Sequence, residues 1–439
     1  MYVETPPDVN ALPAVEVLEA LRLATTPVPG YPHWDKLRHL TPPDGVTLEG
    51  WWAALSVQRT TQPLPLLATD GTPCRYGMPD EVLRLLHFVD KQCAGRVAMD
   101  EVVTDDDQAR QHYLVSGLME EAIRSSQLEG ASTTRQVAKE LLRSGREPVD
   151  RSEQMILNNY RALMFMREQS GDRLEPATVV ELQRILTEGT LDEPDAAGRL
   201  QQSDEARVAV YDARDRVLHA PPPAEQLPSR LRAMCDFANE PIDGERFIHP
   251  VVRGILLHFW LAYDHPFVDG NGRTARALFY WYLRTRGYWL VEYLSISRIL
   301  REAPAQYTRA FLYTETDAND TTYFLLHQLQ VIERAVHELY AYLRRKMREV
   351  RAVESLIADD ARFNHRQLAL LSDGLRHPER RYTFAGHARE HRVTHETART
   401  DLSQLAERDL LLRTRHGRGY RFTVPADLEH RLRTLGASA

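Results

Sequence analysis

Apolar residues recur three and four positions apart over residues 112–127 and again over 152–169, so both stretches predict helices with one buried face. Residues 176–187 predict another, opened by Pro176 in the first turn, where a missing N–H leaves no bond unmade. Residues 207–219 change the rhythm. Apolar and polar positions alternate there around Asp212, Ala213, Arg214 and Asp215, the pattern of a β-hairpin, and Pro221, Pro222 and Pro223 end it because proline cannot continue a ladder. Helical spacing resumes over 226–239, 250–263, 273–286 and 303–313. One long helix then spans 321–357 and grows more charged toward Arg344, Arg345 and Lys346.

The two ends are patterned differently. Residues 1–105 are proline-rich and loosely patterned, which predicts short helices and loops packed on the helical region after residue 105. At the other end a helix is expected over 364–375, an extended segment at Tyr382, Thr383 and Phe384, and a helix over 385–391. A turn at Arg392 and Val393 leads to a helix opened by Thr394. Leu410, Leu411 and Leu412 face Tyr420, Arg421 and Phe422 across a basic turn containing Arg415 and Arg418, as two strands of a wing would.

Composition adds two points. The chain is 43% hydrophobic and 27% charged over 439 residues, which is globular material for two or three domains. Its net charge of −7 is split unevenly: residues 361–424 hold 13 arginines against 7 acids, so that segment is +6 and the remainder −13. A basic end on an acidic protein implies a module with its own partner. The start is acidic and carries no signal-peptide pattern, and the most apolar run, 251–263, is too short to cross a bilayer. Cys74, Cys93 and Cys235 are too few and too far apart for a disulfide frame or a zinc site, so a cytoplasmic protein without a membrane partner is expected.

The chemistry gathers at His265, Pro266, Phe267, Val268, Asp269, Gly270, Asn271, Gly272, Arg273, Thr274, Ala275 and Arg276. A Gly-Asn-Gly turn opening into a helix lets backbone amides approach an anion at the helix amino terminus. Arg273 and Arg276 are three apart, on one face, and suit the oxygens of adjacent phosphates. Asp269 stands where a carboxylate would hold Mg²⁺ against those phosphates, and His265 accepts a proton near neutral pH. These parts specify phosphoryl or nucleotidyl transfer.

The run matches H-x-F-x-[D/E]-G-N-G-R-x-x-R at every position, and in this it resembles the Fic family. The resemblance extends to His249 and Pro250, the hairpin before Pro221, and Asp320, Thr321 and Thr322, covering roughly residues 111–342. It implies a mainly α fold: a Fic-type helical core with a β-hairpin flap. The carboxy-terminal pattern is similar to a winged helix-turn-helix domain. The resulting division is an amino-terminal region 1–110, a catalytic core 111–342, a helical connector 343–360 and a winged helix 361–439.

The resemblance also implies roles. His265 deprotonates the target hydroxyl, Asp269 binds Mg²⁺, and Gly270, Asn271 and Gly272 steady the charge that develops at phosphorus. Arg273 and Arg276 hold the β- and γ-phosphates of ATP, and Tyr307 lies near the adenine or in the core. Where relatives often carry an arginine before the flap, this chain has Gln201, with Arg199 nearby. Upstream, Ser125, Glu129 and Gly130 match the pattern [S/T]-x-x-x-E-[G/N] at the end of a helix near 112–130, as in the class whose inhibitory glutamate pairs with the second motif arginine, here Arg276. The activity implied is AMP transfer from ATP to a Ser, Thr or Tyr hydroxyl of a target protein, autoinhibited by Glu129. The reverse reaction, and a DNA-binding regulator with a Fic sensor, stay open as alternatives. So does a homodimer.

Overall fold

The structure is a computed structural model that describes residues 3–23, 28, 30–94, 107–169, 173–211, 216–244, 246–357, 362–376, 380–416 and 419–437. Two helices occupy its middle, Pro250–Asp264 and Asn271–Thr285. Nearly every residue of both is buried, including the polar His258 and Arg253. A helix apolar on all sides has to be wrapped by others, and here Arg151–Glu168, Pro176–Thr187 and Leu227–Asn239 do the wrapping. The central pair approach closely at Gly254, where an added Cβ would stand 3.0 Å from Leu283 Cδ2. Burying side chains of this kind stabilises by about 1.5–3 kcal/mol each, which fixes the connection between the two helices against a rigid frame.

The chain divides into two compact units, one formed by Met1–Gly95 with Gly117–Val336 and the other by Arg96–Ser116 with His337–Ala439. The amino-terminal residues fall in the unit that holds the central helices. Antiparallel strands β1 (Thr61–Leu67) and β2 (Pro73–Gly77) tie them in. Arg75 N–H donates to Asn319 O at 3.0 Å, Thr321 N–H to Arg75 O at 2.7 Å, and Gly77 N–H to Thr322 Oγ1 at 2.7 Å. Sequence reading missed this hairpin because Pro63 and Pro65 interrupt the strand signal. The helix Asp80–Val89 is among the short helices expected over 1–105, whereas Arg135–Ser144 was missed.

The long helix runs Thr322–Ile357, as its periodicity predicts, and the division between units falls inside it after Val336. The flap strands are β3 (Val210–Tyr211) and β4 (Val217–His219), antiparallel, and their turn at 212–215 lies outside the described residues. The second unit holds helices His365–Arg376, Phe384–Glu390, His395–Glu407 and Leu428–Ala437. They surround strands β5 (Arg381–Tyr382), β6 (Leu412–His416) and β7 (Gly419–Thr423), in spatial order β5-β7-β6. Thr394 caps its helix by accepting from Thr397 N–H at 3.2 Å. Leu410 and Leu411 enter the core with Leu402, Leu405 and Phe422, so the wing strand starts at Leu412, later than the sequence suggested. The last helix, Leu428–Ala437, was not foreseen. No described helix is long and apolar enough to cross a membrane.

Candidate active site

The helix Pro250–Asp264 ends on His265, a non-glycine residue held in the left-handed region at φ 45 and ψ 54. That conformation costs a residue with a β-carbon roughly 1–2 kcal/mol, so surrounding bonds must enforce it. They do. Phe267 N–H donates to Asn271 Oδ1 at 3.0 Å, and Asn271 Nδ2 donates back to Phe267 O at 2.8 Å. Gln201 N–H donates to Pro266 O at 2.9 Å, and Gln183 Nε2 to Asp269 O at 3.0 Å. Gly270, at φ 85, then caps the second helix, which begins at Asn271, two residues before its sequence-predicted start. The Asn271 side chain is therefore committed to the loop; what it offers a ligand is its backbone N–H.

Two buried guanidinium groups come next along this helix. Arg273 Nη1 donates to Leu186 O at 3.0 Å and Nη2 to Asp269 Oδ2 at 3.2 Å. Arg276 Nε donates to Ser125 Oγ at 2.9 Å. Arg273 Nε and Arg276 Nη1 are buried without a hydrogen-bond partner, the state expected of donors meant for an anion. The Asp269 side chain is 37% exposed and also accepts from Gly270 N–H at 2.5 Å. A single open carboxylate beside a helix amino terminus fits Mg²⁺, which binds through one or two carboxylates, phosphates and waters. Among the described residues no cluster of three or more His, Cys, Asp or Glu would cage a cation by itself.

The His265 ring is half-buried, and its Nδ1 has no partner. Burial pushes its pKa down to about 4, helped by the nearby charges of His219 and Arg207, so the imidazole is neutral at pH 7 and able to take a proton. His219 itself lies between acceptors: Nε2 is 2.6 Å from Tyr263 O and Nδ1 is 3.0 Å from Glu315 Oε2. Burial opposes its charging, but the bond to Glu315 outweighs that and its pKa is raised.

Glu129 comes from the helix Asp107–Leu128, which closes on Gly130 at φ 96. Its Oε1 accepts from Arg276 Nη2 at 2.8 Å, while Ser125 O accepts from the same nitrogen at 3.2 Å. A Cβ on Gly272 would collide with Glu129 Oε1, so this carboxylate lies against the first turn of the second central helix. It stands where an incoming anion would be drawn. The helix end is fixed through Ser126, whose Oγ donates to Met155 O at 3.2 Å and sits 3.3 Å from Asn159 Nδ2.

Residues 173–283, which contain this loop and both arginines, match the model of the Fic/DOC family. The chain carries a Fic domain. A protein adenylyltransferase Fic from Nematostella vectensis is 42% identical over 62 residues, 14% of this chain and 14% of its own length. The one from Drosophila willistoni is 37% identical over 70 residues, 16% of this chain and 14% of its own. The chain thus spans 14% of the length of these curated relatives. The crystal structure of a Fic family protein from Desulfovibrio desulfuricans G20 has the same fold, with a TM-score of 0.52 at 18% identity over 80% of this chain and 98% of that one.

Ser125, Glu129 and Gly130 lie outside the matched span, yet the fold brings Ser125 and Glu129 onto Arg276 of the Fic domain. Tyr307 is half-buried with its hydroxyl 2.9 Å from His258 Nε2 and its ring against Phe311 and Phe324. The charge of Arg276 reaches it as well. It packs at the edge of the site, between the core rings and Arg276. Arg199 pairs with Glu205 at 2.5 Å, whereas Gln201 is buried and binds Arg207. Sequence reading missed Gln183, Leu186 and Arg207, because their links to the Fic loop span 57 to 87 positions and leave no local pattern.

Proposed function

We propose that this chain transfers AMP from ATP to a Ser, Thr or Tyr hydroxyl of a target protein and is restrained by Glu129. The observation that carries this reading is a neutral, half-buried His265 beside a helix amino terminus with two buried arginines, each keeping an unpartnered donor. The amides of Asn271 and Gly272 cradle the phosphates, the Gly270 N–H being bound to Asp269 Oδ1, while Arg273 takes the β-phosphate and Arg276 the γ-phosphate. The target oxygen attacks the α-phosphorus as its proton passes to His265, and pyrophosphate departs with the bond that breaks. Mg²⁺ at Asp269 would neutralise phosphate charge. The flap, 207–219, pairs with the target backbone as an added strand. The relatives named adenylyltransferase support the reaction class, and three buried, unbridged thiols suit a reducing cytoplasm.

The test uses the Glu129→Gly protein in host lysate with ATP labelled at the α- or the γ-phosphate. Label from the α-phosphate alone should reach the target. Label arriving from the γ-phosphate would replace AMP transfer with a kinase.

A second reading concerns the carboxy-terminal unit. Its helix pair, the turn at Arg392 (φ 52) and the β6–β7 ribbon support a winged helix-turn-helix module. Arg389, Arg392, Arg399, Arg413 and Arg415 are exposed on it, and Arg418 lies outside the described residues. We propose that it binds duplex DNA with the helix His395–Glu407 in the major groove. With about four phosphate contacts, log K of the full-length chain should fall with log salt at a slope of about −3.6. A flat salt response would indicate a protein partner.

A further inference from the structure

We infer that Arg207 is a positioning residue for the proposed transfer: it clamps the end of the first central helix so that His265 stays in its left-handed conformation and faces the reaction as a base. The inference rests on the proposed AMP transfer.

The geometry is specific. Arg207 Nη2 donates to Asp264 O at 2.8 Å and to His265 O at 3.1 Å, the two carbonyls at the reversal of the chain. Nε donates to Pro222 O at 2.8 Å, and Nη1 to Gln201 Oε1. Each acceptor is neutral, and three of the four are backbone carbonyls, so the guanidinium serves chiefly to hold backbone. Gln201 in turn is 4% exposed and grips the same loop through its own N–H to Pro266 O. One planar fork thus ties the segment entering the flap, the proline run leaving it, and the His265 backbone into one body. Lysine has a single ammonium on a flexible stem and cannot reproduce four divergent bonds.

A second consequence is electrostatic. The charges that reach His265 are those of His219 on β4, Arg207 ahead of β3, and Glu129 at the end of its helix. Within the same helix, Asp264 is already bound by Arg230 Nε at 2.8 Å and Trp260 Nε1 at 3.0 Å. Burial does most to hold His265 unprotonated, His219 and Arg207 add to it and Glu129 opposes them, so removing Arg207 shifts the His265 titration toward higher pH.

The experiment has two arms. In the Glu129→Gly background, Arg207→Gln should lower kcat roughly 10- to 100-fold while leaving KM for ATP unchanged, because the phosphate cradle does not use Arg207. In the apo full-length protein, imidazole NMR, with the His265 signal assigned by its loss in His265→Ala, should show His265 titrating higher in Arg207→Gln than in the parent. Arg207→Lys should keep the parental titration and still lose kcat. An unmoved His265 titration in Arg207→Gln overturns the inference whatever the transfer rate. A parallel rise in KM for ATP also overturns it, since that marks a phosphate ligand. A Glu129→Gly parent without any AMP transfer would refute the activity instead, and the titration arm would still decide the role of Arg207.

Discussion

Replacing His265 by alanine should reduce AMP transfer by roughly 10² or more while ATP still binds. A positioned base is worth about that much, and the cradle amides and both arginines lie on the following helix, which the change leaves in place. The imidazole has been brought to the site in its basic form. Burial comes first among the causes, then the charges of His219 and Arg207, and together they hold the pKa near about 4. The sign is direct: above that value the ring has a free lone pair, and below it the lone pair carries a proton. The kcat/KM of the parent should therefore be level through neutrality and fall as the pH drops through about 4, and His265→Ala should lose that acid limb. A variant retaining most of its transfer would move the base to another residue.

Removing the Glu129 carboxylate should act in the opposite direction. A carboxylate and a guanidinium about 4 Å apart near a surface attract by up to roughly 4 kcal/mol at an effective dielectric of 20. The net is smaller here because Arg276 is 1% exposed and both groups have lost water. In the proposed reaction, ATP would have to take Arg276 from Glu129 and bring its own negative charge beside that carboxylate. If about 1.4 kcal/mol is released, Glu129→Gly raises self-modification and target AMPylation about 10-fold. Arg276→Ala should not imitate it, since the phosphate ligand disappears with the lock, and the double variant should behave like Arg276→Ala. Reverse removal of AMP, which needs a carboxylate to place the water, should collapse in Glu129→Gly. Unchanged forward transfer in that variant would end the autoinhibition reading.

The loop from His265 to Arg276 was legible in sequence because its parts are local: a glycine turn, a helix start and arginines three apart obey rules that span one or two helical turns. The long helix to Ile357 was legible for the same reason. What holds the loop was not. Gln183 reaches Asp269 across 86 positions and Arg207 reaches His265 across 58, so nothing nearby marks either as belonging to the site. Asn271 was assigned to the phosphate charge, but a buried amide satisfies its donors and acceptors first, and Phe267 supplies both partners. The amino-terminal hairpin stayed hidden because its prolines mask alternation, and the partners that anchor it lie near residue 320.

The Asn271–Phe267 amide pair also bears on how nucleotide enters. A loop closed on itself by two bonds has lost its freedom at folding, so it brings no ordering entropy to the encounter. Under the restraint proposed above, the resistance ATP would meet is concentrated in one side chain, Glu129, which is 31% exposed. Side-chain rotation takes picoseconds to nanoseconds, far faster than rearrangement of a loop or domain. If the proposed restraint holds, it sets how often the site is open and adds no slow step of its own, so the molecule should respond as a rheostat set by nucleotide concentration, with no delay.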